Sequence, residues 1–68
     1  MTIDVGTRYQ LIPLRDKADH WQVHTTDRPI GTVAKRADDR YYSTNHPAKS
    51  FVYVELGVLC SLMEDRKL

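Results

Sequence analysis

The side chains of this 68-residue chain whose types and spacing could do chemistry are few: two histidines four apart, one cysteine, and two adjacent aspartates. His20 and His24 have the separation that brings two imidazoles onto one zinc when a helix carries them. Here they stand in His20-Trp21-Gln22-Val23-His24-Thr25, where apolar Trp21 and Val23 alternate with polar neighbours. That period of two belongs to a half-buried strand. On a strand both rings share one face but lie about 13 Å apart, at ~3.3 Å per residue. Imidazoles that each reach a zinc at about 2 Å cannot close that gap. No metal site is expected.

Cys60 beside a histidine would make a nucleophile and its base. It lies instead between Leu59 and Leu62 in an apolar run, where a free cysteine packs as a small hydrophobe. As the sole cysteine it cannot form an intrachain disulfide, which agrees with a reduced, cytoplasmic setting. Asp38 and Asp39 are neighbours in a polar stretch and fit a turn better than a shared acid–base site. Three glycines build no phosphate-cradling loop. The expectation is a protein without enzymatic activity and without a cofactor.

One constellation survives. Residues 28–49 carry Arg28, Lys35, Arg36, Arg40 and Lys49 against Asp38 and Asp39, a local net of +3 between flanks that each net −1. Lys35, Arg36 and Arg40 surround the Asp38-Asp39 turn, and Tyr41 and Tyr42 follow directly. Cationic and aromatic side chains together pair with phosphates and stack on bases, and they are equally suited to protein interfaces. Lys35, Arg36, Arg40 and Tyr42 are therefore the candidate partner-binding residues, with Tyr41 turned into the core.

The elements that must position them follow from patterning. Tyr9 and Leu11 alternate with Arg8 and Gln10 in a strand that Pro13 closes. A polar loop over residues 15–19 leads to the strand at His20–Thr25. Thr26-Asp27-Arg28-Pro29 supplies a turn. Ile30 to Arg36 reads as a strand whose alternation slips at Gly31, and a bulge there would return Ile30 and Val33 to one face. Arg40 to Thr44 is the next strand, reached through the Asp38-Asp39 turn. After Asn45-His46-Pro47 the period becomes helical. Phe51, Val54, Val58 and Leu62 form one apolar stripe, and Val52, Leu56, Leu59 and Met63 form another. A helix is expected over about residues 55–66, starting between Ser50 and Glu55, with Ser50 as a candidate N-cap.

These elements predict one small α+β domain spanning 1–68: a three- or four-stranded antiparallel β-meander with a C-terminal helix packed on one face. A chain this short buries only about 60% of its unfolded surface, so a partner is an expected source of stability. Two apolar stripes on one helix suggest a second covered side, supplied by a homodimer through the C-terminal helix, by an external partner or by a wrapped N-terminal strand. The N-terminus has no basic stretch followed by an apolar core, so no signal peptide is expected. No apolar run approaches the about 18 residues of a membrane span.

The order of Trp21, the Gly31-Thr32-Val33 strand and Ser50-Phe51 before a helix resembles the DNA-arm-binding domains of some phage integrases. That likeness covers about half of the chain and assigns no activity to it. The functional expectation is a non-enzymatic protein-interaction module, a bacterial- or phage-type regulator or inhibitor that binds a larger protein. Its alternative is a small DNA- or RNA-binding domain using the basic hairpin of residues 33–42.

Overall fold

A computed structural model, describing residues 1–68, arranges the strands in chain order: β1 (Ile3–Val5), β2 (Tyr9–Pro13), β3 (His20–His24), β4 (Pro29–Lys35) and β5 (Tyr41–Ser43). They form one antiparallel, curled meander in the order β1-β2-β3-β4-β5. A 3-10 turn (Tyr53–Glu55) leads straight into α1 (Leu56–Glu64). The α+β antiparallel expectation holds, with a correction to the strand count. There are five strands, not three or four. The extra one is β1, where Ile3 and Val5 flank Asp4 and pair with Leu11 and Tyr9. Three residues are too short for alternation to stand out, and the pairing with β2 decides the conformation.

Strand parity sorts the sheet into two faces. Leu11, Val23 and Val33 point inward and are fully buried, joined by Tyr41. Asp4, Gln10, Gln22, His24, Thr32 and Tyr42 occupy the alternate, outward positions. The expected bulge is present: Val23 pairs with Gly31 and His24 with Pro29, leaving Ile30 as the extra residue. Ile30 and Val33 both reach the core. Gly31 adopts φ +157°, a conformation that side-chain-bearing residues rarely take, and a Cβ there would meet the Met63 methyl at 2.7 Å. The bulge thus makes room for the end of the helix.

α1 closes the concave side. Leu56, Leu59 and Cys60 are buried together with Phe51, and Met63 and Leu62 pack at the margin of the core. The inward set draws on both apolar stripes. Nine residues of α-helix make two and a half turns, and the one sheet packs on one side of them. Val54 and Val58, read as core by their spacing with Phe51, stay in solvent at 88% and 55% exposure. Ser50 does not cap the helix. Its hydroxyl accepts from Arg40 Nε at 2.8 Å, while the Glu55 carboxylate accepts the Val52 amide at 3.0 Å.

A second tie joins the sheet to the helix end. The Arg8 guanidinium grips the Glu64 carboxylate with both arms, one of them Nε at 2.9 Å, and the Tyr9 hydroxyl donates to Glu64 Oε1 at 2.6 Å. With Val5 beside Gly57, this draws β1 and β2 toward α1 from one side while β4 and β5 meet it from the other.

Candidate functional site

The hairpin between β4 and β5 forms as expected, and its geometry explains where its charges go. Asp39 sits in the left-handed region at φ 65°, a conformation that aspartate tolerates better than most side chains. The Asp39 amide donates to Arg36 O at 3.0 Å and the Arg36 amide to Arg40 O at 2.8 Å, which closes a tight tip. That tip places Asp38 against Arg36 at 3.0 Å and Asp39 against Lys35 at 3.5 Å. Two of the three expected cations are thus matched within the turn. The third, Arg40, is half-buried and turned toward Ser50, where its guanidinium donates to Ser50 Oγ and to the Ser50 carbonyl at 3.1 Å. Tyr42 lies on the outward face opposite Ala34, and Lys35 and Tyr41 pair on the inward one. Lys35, Arg36 and Arg40 share one end of the sheet, and alternation puts Arg36 on the outward side that Tyr42 also occupies.

His20 and His24 share the outward side of β3, each with a local partner. His20 Nδ1 lies 2.8 Å from Ala18 O, and His24 Nε2 lies 3.0 Å from Gln22 Oε1. Cys60 is fully buried among Leu11, Val23 and Leu59, and that burial pushes its thiol up to about 11. A thiol so placed is protonated and inaccessible, the reverse of a reactive nucleophile. His/Cys/Asp/Glu side chains gather nowhere into a group of three that could hold a metal. No helix is long and apolar enough to cross a membrane.

What the fold leaves open is apolar. Tyr53 at 58% exposure, Val54 at 88% and Val58 at 55% line the outer side of the 3-10 turn and α1, with Val52 beside them. Along this strip, Val54 and Val58 are four residues apart, a spacing that places helical side chains on neighbouring positions of one face. Tyr53 reaches Tyr41 with ring centroids 6.1 Å apart, and Tyr41 reaches Trp21 at 5.8 Å. The half-buried Trp21, with Ile3, Pro13 and Leu14, lines a shallow hollow of about 330 Å³. The aromatic run therefore connects the strip to a second open apolar surface. Glu55 and Asp65 are exposed on the helical side of the strip.

The periodicity of residues 51–63 identified these valines as apolar but placed them inside. No local signal separates them from the buried Leu56 and Leu59, because both stripes are apolar. The Arg8–Tyr9–Glu64 cluster has no local signal at all, since its members lie more than fifty residues apart. Against this geometry, no family model matches the chain, and neither curated proteins nor solved structures match it; the likeness to integrase arm-binding domains gains no support from them.

Proposed function

We propose that the chain is a non-enzymatic protein-interaction module, a regulator or inhibitor that docks on a larger protein through Tyr53, Val54 and Val58. One observation carries the reading: three apolar side chains, each more than half exposed, lie within six residues on the 3-10 turn and the first turn of α1, whose other face is buried in the core. Contiguous exposed apolar surface is what interaction sites present, and a rigid support lowers the ordering cost of binding. The acidic rim of Glu55 and Asp65 suits an apolar groove edged by cations. A few apolar anchors seated in a partner's groove can carry most of the binding energy of such an interface.

The test is site-specific photo-crosslinking from cells that make the protein. A crosslinker at Val58 should yield a discrete adduct with a larger protein, lost when Val54→Lys is added. The same crosslinker at Ile12, on the outward sheet face, should yield none. An adduct of twice the chain mass would reassign the strip to a homodimer. Absence of any adduct at Val58 overturns the reading.

The nucleic-acid alternative is tested by titrating duplex DNA and single-stranded RNA at increasing salt. Binding with a steep negative salt slope that Lys35→Glu and Arg36→Glu abolish would replace the interaction-module reading. Arg40 is left intact in that variant because it holds Ser50.

A further inference from the structure

A second site lies away from the apolar strip, where the β3–β4 turn, the loop after β5 and the end of α1 meet. Arg28 comes from the turn, His46 and Asn45 from the loop, and Arg66 from the residues after the helix; between them is an open cleft of about 310 Å³. Its volume falls at the lower end of small-ligand sites. Ile30 and Met63 supply an apolar wall.

The positive charge of this cleft is only partly offset: Glu64 lies within electrostatic range of Arg28, yet neither Arg28 nor Arg66 makes an ion pair. All three ion pairs of the structure use other cations, namely Arg8, Lys35 and Arg36. Glu64 also lines the cleft, but both of its carboxylate oxygens are engaged, by the Arg8 guanidinium and the Tyr9 hydroxyl. Ser43, buried at the cleft wall, accepts the Asn45 amide at 3.4 Å. Its hydroxyl hydrogen has no acceptor in the protein and is available to a ligand oxygen. Two guanidiniums and a hydroxyl donor around one hollow are the donor set that recognises a phosphoryl dianion. Arginine's planar fork meets such oxygens two at a time.

We propose that this cleft binds the phosphate of a small phosphate monoester, with Arg28 and Arg66 holding the dianion and Ile30 and Met63 packing against its apolar part. Arg66 is set for this by a left-handed backbone at φ 56°, which turns the chain back after the helix instead of continuing its axis. Arg28 is set by the β3–β4 turn, where the Thr25 hydroxyl accepts the Asp27 and Arg28 amides at 3.2 Å. The site is independent of the docking strip and shares no residue with it.

The probe is phenyl phosphate, followed by two-dimensional amide NMR of the whole chain. Shifts should saturate at millimolar ligand and concentrate at Arg28, Asn45, His46 and Arg66. Arg28→Gln with Arg66→Gln should weaken binding at least ten-fold, with an unchanged melting temperature because both side chains are exposed. Inorganic phosphate should bind the same residues more weakly, and benzoate at least ten-fold more weakly than phenyl phosphate. Benzoate binding as tightly as phenyl phosphate overturns the phosphate assignment. No saturable shift, or equal affinity in the double variant, overturns the site altogether. Neither result bears on crosslinking from Val58, so the two proposals fail separately.

Discussion

At the scale of single residues, the strongest electrostatic feature is the carboxylate that closes the molecule. Arg8 first, then Tyr9, hydrogen-bond Glu64 and lower its carboxyl from the ordinary 4.5 to about 2. The same contacts hold the Arg8 and Tyr9 protons more firmly than usual. A carboxyl with a depressed folded pKa stabilises the fold above its unfolded value and loses that contribution as pH falls through the folded one. Glu64→Gln should therefore lower the melting temperature at neutral pH. The difference from the native chain should shrink between about pH 4.5 and about pH 2 and then vanish. Thermal melts of both chains across that range check this, and because Arg8 is well exposed, added salt should reduce the difference. Trp21 is the second residue to test. It is inward-facing but half-buried, stacked at a tilt on Tyr41, so Trp21→Ala should cost about 3 kcal/mol, the lower end of the range for core tryptophans. Denaturant unfolding followed by circular dichroism reads that loss.

Elements show their two faces through paired substitutions. α1 buries Leu59 completely and leaves Val58 in water, although the two are adjacent and equally apolar in character. Leu59→Ala should destabilise by about 3 kcal/mol through lost transfer energy and the cavity left behind. Val58→Ala should stay within about 0.5 kcal/mol. Equal effects in urea unfolding would mean that the helix face is assigned wrongly. The β4–β5 hairpin divides in the same way. Arg36 and Lys35 pair with turn aspartates in solvent, where such pairs contribute little. Arg40 instead holds the Ser50 hydroxyl and carbonyl from a half-buried position. Arg40→Ala should cost about 2 kcal/mol, in line with hydrogen bonds from charged groups, while Arg36→Ala changes stability by less than about 0.5 kcal/mol.

For the whole molecule, Cys60 is a reporter placed by α1 in the one hydrophobic core, fully buried in the same cluster as Leu11 of β2 and Val33 of β4. In a domain this small, the sheet and helix have no separate cores to open independently, so Cys60 should become reactive only through global unfolding. Labelling with a thiol reagent should slow in proportion to stability. It should accelerate in Leu59→Ala and Trp21→Ala by the same free energies that unfolding reports. Rapid labelling of the native chain, insensitive to those variants, would show that the helix opens by itself.

Much of this architecture was legible in residues 9–44, because strand alternation is a local property. Trp21 and Val23 opposite Gln22, the slip at Gly31, and the turn residues at 26–29 and 38–39 each specify their conformation from near neighbours. The helix after Phe51 was legible for the same reason, and its start was bracketed by competing β-branched residues. Other features rest on partners far away in the chain. Ile3–Val5 is a strand because β2 lies beside it, Ser50 is a partner of Arg40 and not a cap, and Glu64 meets Arg8 across more than fifty residues. The candidate site turned on the same distinction. Net charge marked the hairpin, yet geometry matched Arg36 and Lys35 to the aspartates of their own turn and tied Arg40 to Ser50. Apolar spacing marked all of residues 51–63, yet a single concave sheet could cover one face of a nine-residue helix. By itself the sequence determined which segments alternate, turn or wind, since those choices are made within a few residues. Only the tertiary structure decided which apolar and charged side chains remain unpartnered, because that depends on what every other segment has already covered.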